Sequence, residues 1–258
     1  MAPYSERKLK LIWGIIILVA LFVLFFFPFK LGLRELRWQE GYYAALALEM
    51  GRSALLLPAV ELDGSTLINN MPLFPLLAML INKFGCPIEL ALRLISIISL
   101  GVTALVCAVT VGAARDRSAA FFTAAMIISS SVILEKSMLG YPINLLVMIV
   151  ICGQLLWFKF GAMNHNWTLG WLTGFLASAL AFYCSGLFGL LYFWVPLIFL
   201  RRPLGIFGRL QHKGVYLGLL ILLFFILMWF VPFSYSIKRY PAQLYDFGGI
   251  ISGSDYLL

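Results

Sequence analysis

Apolar residues run along this chain in long, almost unbroken blocks, and polar positions collect between them. Blocks at 11–28, 88–113, 118–135, 142–160, 168–184, 187–200 and 214–233 approach or exceed the run of about 20 apolar residues that a helix needs to cross the hydrocarbon core. Backbone amides in lipid must find partners within their own segment, so each block predicts a transmembrane helix. The sixth block is short and the seventh clean. The one long polar interruption, 29–87, lies between the first two blocks and is where function is to be sought. Within it Tyr43, Leu46, Ala47 and Met50 recur at helical spacing behind Gln39 and Glu40, which predicts an amphipathic helix lying on the membrane surface. Residues 72–84 are apolar but short and contain Pro72 and Pro75, which suits an interfacial or re-entrant segment better than a full crossing. The expectation is an all-α integral membrane protein forming a single membrane domain over 1–258. It comprises a first helix at 11–28, an outer loop at 29–87 with interfacial helices, six further crossings within 88–233, and an outer-side tail at 234–258.

Composition agrees with the pattern: 62% of residues are hydrophobic and 12% charged, with a mean hydropathy of +0.98, well above the roughly half-apolar average of soluble domains. Arg7, Lys8 and Lys10 precede an apolar run too long for a signal core and lacking a small-residue cleavage site, so the start reads as a retained first helix.

Lys and Arg in short loops resist translocation. Arg7, Lys8, Lys10, Arg115, Arg117, Lys159, Arg201, Arg202, Arg209 and Lys213 share the N-terminal side when 71–84 does not span, and that side is expected to be cytoplasmic. These ten face Glu6 and Asp116 alone, while the other side balances nine basic against nine acidic residues, so the net charge of +8 belongs to the cytoplasmic face. A surface beside anionic lipid accounts for this charge without RNA or DNA, and no nucleic-acid partner is expected.

Metal and thiol chemistry leaves little trace. Cys86, Cys107, Cys152 and Cys184 show no CxxC or Cys/His spacing, and His165 and His212 fall in predicted cytoplasmic loops, so no zinc site is readable. The cysteines are assigned to packing. The aromatic load of 16% is read as interfacial belts, because Trp13, Trp38, Trp157, Trp167, Trp171 and Trp229 mostly lie near predicted helix ends. The sequon Asn166-Trp167-Thr168 faces the cytoplasm in this topology and is not expected to be glycosylated.

Local motifs add a resemblance. Gln39, Glu40, Gly41, Tyr42, Tyr43 and Ala44, followed by Glu49 and Met50, resemble the first-loop Asp-Glu, Arg-Tyr-Ala and Glu-Met run of GT-C superfamily glycosyltransferases that use polyprenyl-phosphate sugars. The branch is that of protein O-mannosyltransferases and the lipid A aminoarabinose transferase. Pro58 and Gly64 follow as in that family, and Asn69, Asn70, Met71, Pro72, Leu73 and Phe74 stand where it has Glu-Lys-Pro-Pro-Leu-Phe. Arg93 resembles the arginine after that motif. GWLTGFLASALAFYCSGLFGLL resembles the Gly-rich helix ending in Thr-Lys-Gly, and MWFVPF the segment closing the seventh crossing. The resemblance implies a seven-crossing module with a long first outer loop, in the plasma membrane (the inner membrane of a bacterium). It implies transfer of a hexosyl or pentosyl group from a polyprenyl-phosphate donor to an acceptor at the outer face.

Much of the implied chemistry is replaced. The family's catalytic Asp is Gln39, which leaves Glu40 as the retained carboxylate; an amide takes no proton at neutral pH. The Glu-Lys pair is Asn69 and Asn70, the lysine expected on lipid phosphate is Ser185, and an Asp preceding a proline is Tyr141. Lys136 replaces a basic residue. By resemblance, Asn69, Asn70, Arg93, Lys136, Tyr141 and Ser185 form the substrate-binding set. No cofactor is evident, and a divalent metal enters only through the resemblance.

By resemblance Glu40 reads as catalytic; from the residues themselves it reads as a solvated first-turn carboxylate favoured by the helix dipole. Arg93 reads as a partner of phosphate or carboxylate, or as a snorkelling side chain. Two functional classes stay open: a glycosyltransferase, or a scaffold without catalysis that binds lipid or a membrane partner, the front part of a split enzyme included. A transporter is weaker, because no internal repeat is seen.

Overall fold

The computed structural model describes Gly14, Leu36, 38–52, 71–130, 138–199, Leu210 and 212–239. The described residues form seven α-helices and no strand: α1 (Trp38–Arg52), α2 (Leu73–Lys83), α3 (Ile88–Ala114), α4 (Arg117–Ser129), α5 (Ile143–Phe158), α6 (Trp167–Phe199) and α7 (Lys213–Arg239). A π-helical turn, Lys159–Met163, continues α5. Among the described residues, four stretches are long and apolar enough, by length and composition, to cross a membrane, namely Ile88–Ala114, Ile143–Met163, Trp167–Leu197 and Lys213–Phe230. The chain is an integral membrane protein. Of the expected first crossing only Gly14 is described, in helical conformation.

Although α6 is helical almost throughout, it is two antiparallel arms. Ser185 (φ −146°, ψ 19°) and Gly186 (φ 62°, ψ −141°) break it, and Trp171 stacks on Trp194 with ring centroids 6.1 Å apart. A straight helix would separate those residues by about 34 Å. The reversal therefore falls between the crossings expected at 168–184 and 187–200, at a Ser-Gly pair that breaks helices readily. Gly189 permits it, since a Cβ there would overlap the Ala181 carbonyl oxygen on the first arm.

Elsewhere the elements differ from expectation in extent. α4 ends at Ser129 with Ser130 as its cap, and the remainder of the crossing expected at 118–135 lies outside the described residues. α7 runs on to Arg239, through the start of the segment expected as a tail. α1 does not simply lie on lipid. Three of the four residues of its expected stripe are buried, with Leu46 3%, Ala47 1% and Met50 1% exposed and Tyr43 half-buried, because Phe74, Ala78 and Met79 of α2 and Leu92 of α3 join them in one apolar core.

The tryptophans correct the belt reading. Trp157, Trp167, Trp171 and Trp229 are all buried. Trp157 meets Trp167 and Trp171 edge to face. Glycines make the room: a Cβ at Gly161 would come within 3.0 Å of the Trp167 ring, and one at Gly174 within 2.9 Å of Trp157. Trp157 and Trp167 are thus knobs seated in glycine holes between α5, with its π-helical turn, and α6, while Trp229 packs on Phe182.

Helices α3 and α5 both start at one end of the bundle, the end where α6 reverses, and Arg115, Arg117, Lys159 and Lys213 are exposed at the other. At that basic end Gly214 packs on Thr168 and Gly161 on Trp167, which brings the starts of α6 and α7 beside the end of α5.

Candidate functional site

At the opposite end a charged pair is sealed inside the protein. Glu40 enters in the first turn of α1 and Arg93 lies on the second turn of α3. Arg93 Nε donates to Glu40 Oε1 at 3.3 Å and Nη2 to Oε2 at 3.4 Å. The Gly140 backbone N–H donates to Glu40 Oε1 at 2.8 Å. Glu40 is 0% and Arg93 1% exposed. Charged hydrogen bonds usually close to about 2.7–2.9 Å. The two guanidinium contacts are longer than that, so charge attraction in a poorly solvated setting carries more of the pairing than hydrogen-bond geometry does.

The turn at 139–142 is fitted to α3 by small residues. A Cβ on Gly140 would lie 2.7 Å from Leu92 Cβ, so only glycine brings its N–H up to Glu40 at this distance from the helix. Ser96, one turn beyond Arg93, donates its hydroxyl to the Tyr141 carbonyl at 3.0 Å. Pro142 then opens α5, a position where the missing proline N–H costs nothing. Its carbonyl accepts from Cys184 Sγ at 3.4 Å, which ties the turn to the break in α6. Gly186 backs onto Met71, with Cε 2.9 Å from where a Cβ would stand. Tyr183 Oη donates to the Phe225 carbonyl at 2.8 Å, fixing α7 to the same arm.

Residues separated widely in the sequence are therefore gathered here. Glu40 and Arg93 touch; Tyr141 contributes its carbonyl to Ser96; Ser185, half-buried, follows the Cys184 thiol that meets Pro142. Gln39 is in the first turn of α1, but its side chain, Asn69, Asn70 and Lys136 lie outside the described residues. The solvated reading of Glu40 and the snorkelling reading of Arg93 both fail, since neither reaches water; each is the other's partner. Sequence reasoning missed Gly140, Ser96 and Cys184. The Gly-Tyr-Pro string was the available signal for a tight turn, but nothing local announced what the turn would bind.

Both Glu40 oxygens face Arg93, and among the described residues no three His, Cys, Asp or Glu side chains gather to hold an ion. As it stands the arrangement positions α1, α3 and the turn before α5 against one another. Compared with protein-family models, curated proteins and solved structures, the chain matches none.

Proposed function

We propose that this chain is a non-catalytic, glycosyltransferase-like membrane subunit that binds a polyprenyl-phosphate-linked sugar at the end of the bundle where Glu40, Arg93, Tyr141 and Ser185 gather. That end faces outward and the basic end faces the cytoplasm. The observation that supports the reading is the engagement of Glu40: Arg93 and the Gly140 amide occupy the carboxylate that a transferase of this kind would need as its base. Replacement of the other expected polar groups by Gln39, Asn69, Asn70 and Ser185 points the same way.

The test is a donor assay on the purified chain in nanodiscs. Binding of a polyprenyl-phosphate sugar without transfer is expected, and Gln39→Asp leaves transfer undetectable. Turnover that Glu40→Gln abolishes would establish the second reading, a transferase, which the gathering of four family positions favours. Neither binding nor turnover would sink both.

Topology is checked separately. Phe84, 92% exposed in the turn before α3, and His165, exposed between α5 and α6, lie at opposite ends. In a cysteine-free background, Phe84→Cys is expected to react with an impermeant maleimide from outside intact cells and His165→Cys only after permeabilisation. Labelling of both from one side defeats the arrangement.

A further inference from the structure

Asn144, on the first turn of α5, is 7% exposed, and its Nδ2 is buried with no hydrogen-bond partner among the described residues. Buried amides are almost always bonded, so the orphan donor asks for an acceptor. The direction in which it points follows from the helix. Gly153 of α5 sits against Ala177 and Phe193 of α6. Asn144 precedes Gly153 by about two and a half turns and so faces the other way.

On that side runs α3. Leu92 meets Gly140, and Ser96 bonds the Tyr141 carbonyl, and both helices leave this end in the same direction. Advancing equally along each brings Ser99 level with Asn144, and Thr103 level with Met148. The two helices pack against each other.

The α3 face has a particular hydrogen-bonding state. Ser99 Oγ donates to the Ile95 carbonyl at 2.7 Å and Thr103 Oγ1 to the Ser99 carbonyl at 2.8 Å, and both residues are buried. A hydroxyl has one proton and two lone pairs. With the protons spent on backbone, α3 offers only acceptors across the seam, and Asn144 Nδ2 offers only donors. An anion would meet lone pairs on one side, and a cation would meet amide protons on the other. The molecule that satisfies both is one that accepts and donates at once, as structural waters inside proteins do.

We propose that a water molecule binds between α3 and α5, accepting from Asn144 Nδ2 and donating to Ser99 Oγ and Thr103 Oγ1, as a fixed part of the polar seam that begins at Arg93. This inference is independent of the functional reading above. It makes the seam a built hydration site that holds two spanning helices in register below the ion pair.

The experiment combines thermal unfolding of Asn144→Leu, Thr103→Val and the double variant with radiolytic footprinting of the unaltered protein, in which bound water generates the hydroxyl radicals that oxidise its neighbours. Each single variant is expected to lower the folded-to-unfolded ratio about tenfold, with the double losing little more than either, because both remove one bridged unit. Met148, half-buried and level with Thr103, is expected to oxidise in the unaltered protein. Unchanged or raised stability in Asn144→Leu, or additive losses, would overturn the proposal. If the variants fail to fold, the footprint decides: an unlabelled Met148 overturns it.

Discussion

Glu40→Ala lowers the stability of the folded protein by about 3–5 kcal/mol, and Arg93→Met does the same, whereas the double variant Glu40→Leu with Arg93→Met recovers most of the loss. Both groups are essentially unexposed. Removing one strands the other's charge in apolar surroundings, and the Gly140 amide loses its acceptor as well when Glu40 is truncated. Removing both takes out the two charges of this pair together. Arg93→Lys is expected to fall between these cases, because lysine keeps the charge but cannot span both Glu40 oxygens as Nε and Nη2 do. Denaturation in detergent micelles measures all four. Single losses below about 1 kcal/mol that simply add in the double variant would mean that the pair is not an energetic unit.

Gly189→Ala is expected to open the reversal in α6 at a cost of about 2–4 kcal/mol. The added methyl overlaps the Ala181 carbonyl, and a backbone atom inside a helix cannot swing aside as a side chain does. The arms must separate, which unstacks Trp171 from Trp194 and shifts tryptophan emission. Gly186→Ala acts more gently, by about 1–2 kcal/mol: φ of 62° suits glycine, but the neighbour in the way is the flexible end of Met71. Gly51→Ala serves as control. It is exposed, and the nearest neighbour of its Cβ would be Met79 Cγ at an ordinary 3.5 Å. Equal behaviour of Gly189→Ala and Gly51→Ala would refute the close approach of the arms.

The spans were legible where hydrophobic length alone decides. The blocks at 88–113 and 142–160 match α3 and α5 closely, and the gap at 185–186 coincides with the turn between the arms of α6. The stripe on α1 was also visible, but its partner was not: amphipathic spacing says which face seeks cover and is silent on whether lipid or protein provides it. The same ambiguity misled the reading of the tryptophans. An indole near a helix end suits the interface or a glycine hole equally well in one dimension, and Gly161 and Gly174 make sense as holes only once α5 and α6 lie side by side. Glu40 and Arg93 each stood out as charges beside apolar runs. Their pairing depends on α3 returning to α1 from 53 positions further along the chain, which no local pattern encodes. Gly140 was harder still, since its part in the site is a backbone N–H that every residue except proline possesses.

The sealed ion pair bears on how the protein enters the membrane. A lone arginine in a spanning helix opposes insertion by about 2.5–3.5 kcal/mol at the bilayer centre and by less near an end. Arg93 reaches the insertion machinery after Glu40 has already been synthesised, so α1 can supply the countercharge if it is still nearby when α3 moves sideways into lipid. Gly140 emerges later and can complete the set only then. The first loop would in that case travel with α3 as one package during biogenesis, and release of α1 to the membrane surface would leave α3 to carry an unneutralised guanidinium into the bilayer.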